Sequence, residues 1–152
     1  MTSLAFEDIF IRFRLSVGDN FENLYGESLD DVLEMWLRMG IGDPYLQEIF
    51  NTLTCDDEEN SVVFDLKHPV SDELDSEYVS NLLAKEMIVK WLEPMLRSRE
   101  NVLQYYGAGE SRFFSQANHI SELRALLEDV RVEIKAAIAD RGGLRNDYLL
   151  GQ

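Results

Sequence analysis

The chain has 152 residues, 45% of them hydrophobic, with 8 Phe, 6 Tyr and 2 Trp; that is enough to fill the core of one domain and excludes a disordered acidic tail. Its formal net charge of −15 is confined to one half: residues 1–75 carry 18 Asp+Glu against 4 Lys+Arg, and residues 76–152 carry 11 against 10. Such a field repels nucleic-acid phosphate and anionic membrane within a Debye length of ~8 Å at physiological salt, so it disfavours sequence-specific DNA binding and favours basic partners.

In chain order, residues 4–15 read as a first helix, because Phe6, Ile9, Phe10 and Phe13 recur at i, i+3, i+4 and i+7 with Thr2 or Ser3 available as cap. After Gly18-Asp19-Asn20 and Gly26, Ser28 is placed to cap a second helix carrying Leu29, Val32, Leu33 and Trp36 and ended by Gly40. Asp43-Pro44 opens a third, short helix with Leu46, Ile49, Phe50 and Leu53 on its stripe, proline standing at the first helical position. Cys55 to Asn60 is a polar turn. Beyond it the period changes: Val62, Phe64 and Leu66 alternate with Val63, Asp65 and Lys67 until Pro69, which predicts one short strand or hairpin near residues 61–68. A lone strand cannot satisfy its own backbone groups, so it needs a partner, either an unrecognised strand or one from a neighbouring subunit.

From Ser76 a long helix is expected, with Val79, Leu82, Leu83, Met87, Trp91, Leu92, Met95, Leu96, Val102, Leu103 and Tyr106 around more than half its circumference, the mark of a central element. Pro94 inside it predicts a kink or break near Lys90 to Glu93. Gly107-Ala108-Gly109 separates it from a last helix over about 116–141, whose seam is Ile120, Leu123, Leu127, Val130, Ile134 and Ala137 or Ile138, suited to one long antiparallel or intersubunit contact. The expected fold is therefore mainly α, a helical bundle built on two long C-terminal helices with one short strand or hairpin, forming a single domain over residues 1–143. Residues 144–152 hold Leu144, Tyr148, Leu149 and Leu150 beside Arg145 with no helical room to bury them, and read as a docking tail.

Little in the chain points to covalent chemistry. A single cysteine rules out an internal disulfide, and no basic stretch followed by a long apolar run opens the chain, so synthesis in a reducing cytoplasm is expected. No apolar run approaches the ~20 residues that span a bilayer, and no membrane partner is expected. Four acids follow Cys55 and disfavour its thiolate, which reads as a half-buried structural thiol. His68 and His119 lack the paired spacing of a zinc site, and Asp56 to Glu59 lacks the ligand spacing of a calcium loop, so the run reads first as a solvated turn, then as an ion- or partner-facing edge, and last as a dedicated metal site. Gly107-x-Gly109 lacks the third glycine of a phosphate loop and reads as a hinge between helices. Carboxylates abound, and no one pair stands out as an acid–base couple. No enzyme activity, metal or cofactor is expected. Trp36 and Trp91 read as core, while Tyr105, Tyr106, Phe113 and Phe114 flank the glycine loop as either a satellite core or an intersubunit anchor.

The stretch from Met87 through Trp91 to Pro94, the loop from Tyr106 through Phe113 and Phe114 to Ala117, and the helix from His119 to Gly142 resemble the small, mostly helical head–tail connector, or adaptor, proteins of tailed bacteriophages. The resemblance covers about the second half of the chain and rests on structural motifs. It implies a virion protein, made in the bacterial host, that forms a homo-oligomeric ring of about twelve copies between the portal protein and a tail or stopper protein. It implies that Leu144, Arg145, Tyr148, Leu149 and Leu150 dock on the portal, and that viral DNA passes through the ring without sequence preference. Duplex DNA carries one negative charge per ~1.7 Å, so an acidic wall lets it slide where a basic one would hold it. Asp30, Asp31, Glu34, Asp56, Asp57, Glu58 and Glu59 are the candidates to face that channel or its rim. Rival readings are a small acidic DNA mimic or regulatory protein that binds a basic partner, and an enzyme of unfamiliar chemistry.

Overall fold

The computed structural model describes the backbone of residues 1–17, 29–106 and 110–141, and the side chains of these apart from Leu29 and residues 98–119. The elements are β1 (Thr2–Ala5), α1 (Phe6–Val17), α2 (Leu29–Ile41), a 3-10 helix (Pro44–Glu48), β2 (Phe50–Asp56), β3 (Ser61–Leu66), α3 (Asp72–Tyr106) and α4 (Glu110–Arg141). The fold is mainly helical, with a three-stranded antiparallel sheet in the order β1-β3-β2.

The strand read from the alternation at Val62, Phe64 and Leu66 is the middle one, and its partners come from this same chain. β3 pairs Leu4 with Val62 and Thr2 with Phe64 on one side, and Cys55 with Val62 and Phe50 with Leu66 on the other, with a register shift between Phe50 and Thr52. Val62, Phe64 and Leu66 are buried and Lys67 is exposed, as the alternation requires. Two helix assignments made from periodicity give way to this sheet. The first helix begins at Phe6 because residues 2–5 pair with β3, and the Phe6 amide donates to the Asn60 carbonyl at 2.9 Å. The third is a single 3-10 turn over Pro44–Glu48, closed by Leu46 N–H to Asp43 O and Ile49 N–H to Leu46 O. Phe50 and Leu53, taken as its last apolar positions, belong to β2, where Thr52 and Thr54 supply the branched side chains that suit a pleated surface. The polar turn contracts to residues 57–60, with Asn60 at φ 48° closing it.

Four residues earlier than the apolar spacing indicated, α3 starts at Asp72, where the Leu74 amide donates to Ser71 Oγ at 3.3 Å and Asp72, Glu73 and Asp75 fill the first turn. It runs unbroken through Pro94 for 35 residues. Pro94 is exposed, so its ring lies toward solvent, and of the kink or break expected near Lys90 to Glu93 the break does not occur. Between Val79 and Leu92 α3 is buried on almost every side, packed by α1, α2, β1 and α4, which is the central position its composition called for.

Around it lies one cluster of buried side chains. Phe13 packs tilted at 5.8 Å from Trp36 and edge-on at 6.1 Å from Trp91, so both tryptophans are core, at 5% and 8% exposure. The seam of α4 also behaves as read: Ile120, Leu127, Val130, Ile134 and Ile138 are buried against α3, with Leu123 half-buried. α4 begins at Glu110, six residues before the expected start. The Ser28 cap, the Gly107–Gly109 hinge and the tail over residues 144–152 lie outside the described residues.

Candidate functional site

Two clusters of carboxylates stand out, and they differ in almost every physical respect. The first is an acidic edge made by α2 and the β2–β3 turn. Asp30 and Asp31 occupy the first turn of α2, where the helix dipole favours negative charge. Glu34 lies one turn on. Arg38 then ties the two elements together, its guanidinium accepted by Glu34 at 2.7 Å and by Asp57 of the turn. Those two carboxylates push the Arg38 pKa upward, and the ring of Phe6 lies 6.0 Å from its guanidinium carbon. Asp56 folds the turn by accepting the amides of Glu58 at 3.1 Å and Glu59 at 3.3 Å. Asp30 reaches Arg14 of α1 at 3.4 Å. Asp30, Asp31, Asp57, Glu58 and Glu59 are exposed, while Glu34 and Asp56 are half-buried. The fold thus brings Glu34 and the 56–59 turn side by side, although they are more than twenty residues apart in the chain.

The second cluster is built around a buried glutamate, and the sequence reading did not single it out. Glu86, on α3, has no exposed surface. A Cβ added to Gly40 of α2 would stand 2.9 Å from the Glu86 Cβ, so glycine is what lets the two helices approach there. The 3-10 helix delivers Tyr45, whose hydroxyl lies 2.6 and 2.7 Å from the two Glu86 carboxylate oxygens and 2.9 Å from Asp43 Oδ2. Lys90, one turn along α3 from Glu86, donates to Asp43 Oδ1 at 2.9 Å. Burial, with help from the Asp43 carboxylate, pushes Glu86 up to about 8, so it carries a proton at neutral pH. Partial burial pulls Asp43 upward too, but hydrogen bonds from Glu86, Lys90 and Tyr45 outweigh it and hold Asp43 below the usual carboxylate range. Burial and the two carboxylates raise the Tyr45 hydroxyl well above its ordinary value.

Asp43, Tyr45 and Lys90 of this cluster line a groove of about 900 Å³ between the 3-10 helix, α3 and α4, and Glu86 lies behind them. Val89, Ile134 and Ile138 give the groove apolar walls, and Val132, 64% exposed, stands on its rim. Arg131 of α4 crosses to Glu93 of α3 at 2.7 Å and pairs with Glu128 at 3.2 Å, and all three line the groove. At the far end of the helix pair, the Tyr78 hydroxyl donates to the Ala137 carbonyl. Arg141 lies over the Tyr78 ring at 4.6 Å and pairs with buried Asp75 at 2.8 Å. Burial pushes Tyr78 up to about 12. α4 is therefore clamped to α3 up to its last described residue.

Cys55 is half-buried and burial raises its pKa, in keeping with a structural thiol. Among the described residues no group of three or more His, Cys, Asp or Glu is placed to hold a metal ion, and no helix is long and apolar enough to cross a membrane. Tyr105, Tyr106, Phe113 and Phe114 fall on α3 and α4, but their side chains lie outside the described residues, as do Leu144, Arg145, Tyr148, Leu149 and Leu150. Comparison with protein-family models, with curated proteins and with solved structures finds no match for this chain.

Asp43 and Glu86 were missed because their partnership is tertiary. The one local sign was a glutamate in the middle of the apolar run from Leu82 to Leu92, on a helix too apolar to leave any face for a free charge.

Proposed function

We propose that the protein is a structural subunit, not an enzyme, of the head–tail junction of a tailed bacteriophage. In this reading it forms a ring between portal and tail or stopper protein, with viral DNA passing through. The resemblance of the second half of the chain to such adaptors motivates the reading, and the observation that carries it is the acidic edge. Exposed carboxylates from α2 and from the β2–β3 turn are gathered on one edge and tied down by Arg38. Repeated around a ring, that edge makes a wall that repels phosphate and does not retard it. The two long C-terminal helices, α3 and α4, serve as the spine of the bundle. The residues at 144–150 serve as the portal-docking arm, and Tyr105, Tyr106, Phe113 and Phe114 as contacts between copies.

The same edge supports a second reading, an acidic protein that occupies the basic groove of a nuclease or repressor, since Arg38 sets Glu34 and Asp57 on one surface. One experiment separates the two. Mixed with the portal protein of its own virus and imaged by electron microscopy, the chain is expected to add a ring of density below the portal, with Asp31, Glu34 and Asp57 toward the bore. Failure to bind the portal, or a ring with these acids on its outer wall, overturns the proposal. A tight one-to-one complex with a basic nuclease or repressor establishes the second reading instead.

A further inference from the structure

We propose that Glu86, Tyr45 and Asp43 form a proton-operated latch between α3 and the 3-10 helix, closed while Glu86 holds a proton and released when that proton leaves to solvent. The Tyr45 hydroxyl has one hydrogen, yet three carboxylate oxygens from two residues lie within 2.9 Å of its oxygen. One hydrogen cannot satisfy two carboxylates, and an anion set 2.6 Å from a hydroxyl that donates elsewhere is repelled. Every short contact becomes attractive only if a second hydrogen is present. Lys90 already neutralises Asp43 at 2.9 Å, so the additional proton belongs on Glu86. Glu86 has no exposed surface and, among the described residues, forms no ion pair.

The groups that face Glu86 are few. Asp43 and Tyr45 come from the 3-10 segment and Lys90 from its own helix, while α2 contributes the backbone of Gly40. Arg131 and Lys135 of α4 stand across the groove. With the proton in place the cluster holds one anion and one cation. Without it, a buried and a half-buried carboxylate compete for one ammonium and one hydroxyl, which is the condition that drives such groups apart.

The element that gives way is the 3-10 helix. It is a single turn, joined to α2 by Asp43 N–H to Gly40 O at 3.2 Å and to the sheet by Lys67 N–H to Ile49 O at 2.9 Å. Tyr45 is 39% exposed and faces the groove with Asp43 and Lys90. Release therefore changes both the shape of the groove floor and its charge by one unit. This device does not depend on the phage reading and would operate in either function proposed above.

The test is a carboxyl titration by nuclear magnetic resonance on the full chain carrying 13C-labelled glutamate, from about pH 3 to about pH 10, spanning the ordinary and the raised carboxyl ranges. The Glu86 carbon is expected to titrate with a midpoint near 8, and the amides of Gly40, Tyr45 and Leu46 to move with the same midpoint while those of Val62 and Phe64 stay still. Glu86→Gln, which keeps a donor at that site, should hold the three amides at their low-pH positions throughout. Tyr45→Phe should shift the Glu86 midpoint further up, because the hydroxyl is one of the groups that favours the charged form. A Glu86 midpoint in the ordinary range near ~4.3, amides that do not follow it, or a midpoint unmoved by Tyr45→Phe would each overturn the latch.

Discussion

Aspartate and glutamate occupy two regions of this molecule under opposite conditions. On the acidic edge, carboxylates face solvent, share two arginines among several acids, and are held by a helix start and an Asx turn. Below the groove, two carboxylates lie among the apolar side chains of α3 with a single lysine and a single tyrosine. The edge can absorb charge changes because water and salt screen it. The inner pair cannot, so it relies on a proton, a cation and a glycine contact. A carboxylate's role in this chain is thus set by what α2 and the 3-10 helix pack against, and not by the local density of acid in the sequence.

Substitutions can break that contrast, and the largest effect is expected at Lys90. Lys90→Met keeps the stem and removes the cation, which leaves a mostly buried Asp43 carboxylate uncompensated; a loss of about 3 kcal/mol in urea unfolding at neutral pH is expected. Gly40→Ala places a methyl group 2.9 Å from Glu86 Cβ and forces α2 away from α3, at a cost of about 2 kcal/mol by the same measurement. On the edge the numbers fall. Asp56→Ala removes the acceptor of two turn amides and is expected to cost about 1 kcal/mol, with amide exchange accelerated at Glu58 and Glu59. Asp30→Asn should change stability by less than about 0.5 kcal/mol, since Asp30 is 85% exposed and its contact with Arg14 is loose. If edge and cluster substitutions cost the same, the contrast between the two regions is wrong.

The sequence made the helical skeleton legible wherever apolar spacing was long and consistent. Phe6 to Phe13, Leu33 to Trp36, Val79 to Leu96 and Ile120 to Ile138 are buried on the faces their spacing specified. The sheet was half legible: β3 alternates cleanly, but β1 is four residues with one buried side chain, Leu4, and β2 places Phe50 and Leu53 at a helical interval by coincidence. Pairing with β3 decides both, and pairing is a tertiary fact. Of the candidate sites, the acids of the edge stand out in the sequence, although only the fold sets Glu34 beside the 56–59 turn. The cluster does not, because Asp43 and Glu86 are far apart in sequence, and what distinguishes them is burial and the hydroxyl between them.

The most direct test is equilibrium unfolding of the wild type and Glu86→Gln across the same pH range. Glu86 is raised from 4.5 to about 8 on folding, so the folded state binds more protons between those values. Its contribution to stability is full below 4.5 and is lost as pH rises through 8. Asp43 acts in the opposite sense: its contribution is present above 3.8 and is lost only as pH falls through its depressed folded value. The wild type should therefore lose stability steadily from mildly acidic to mildly alkaline pH, while Glu86→Gln stays level over that span and is the more stable of the two at its alkaline end. Two curves that run parallel would contradict a proton held at Glu86, and with it the division between the two regions.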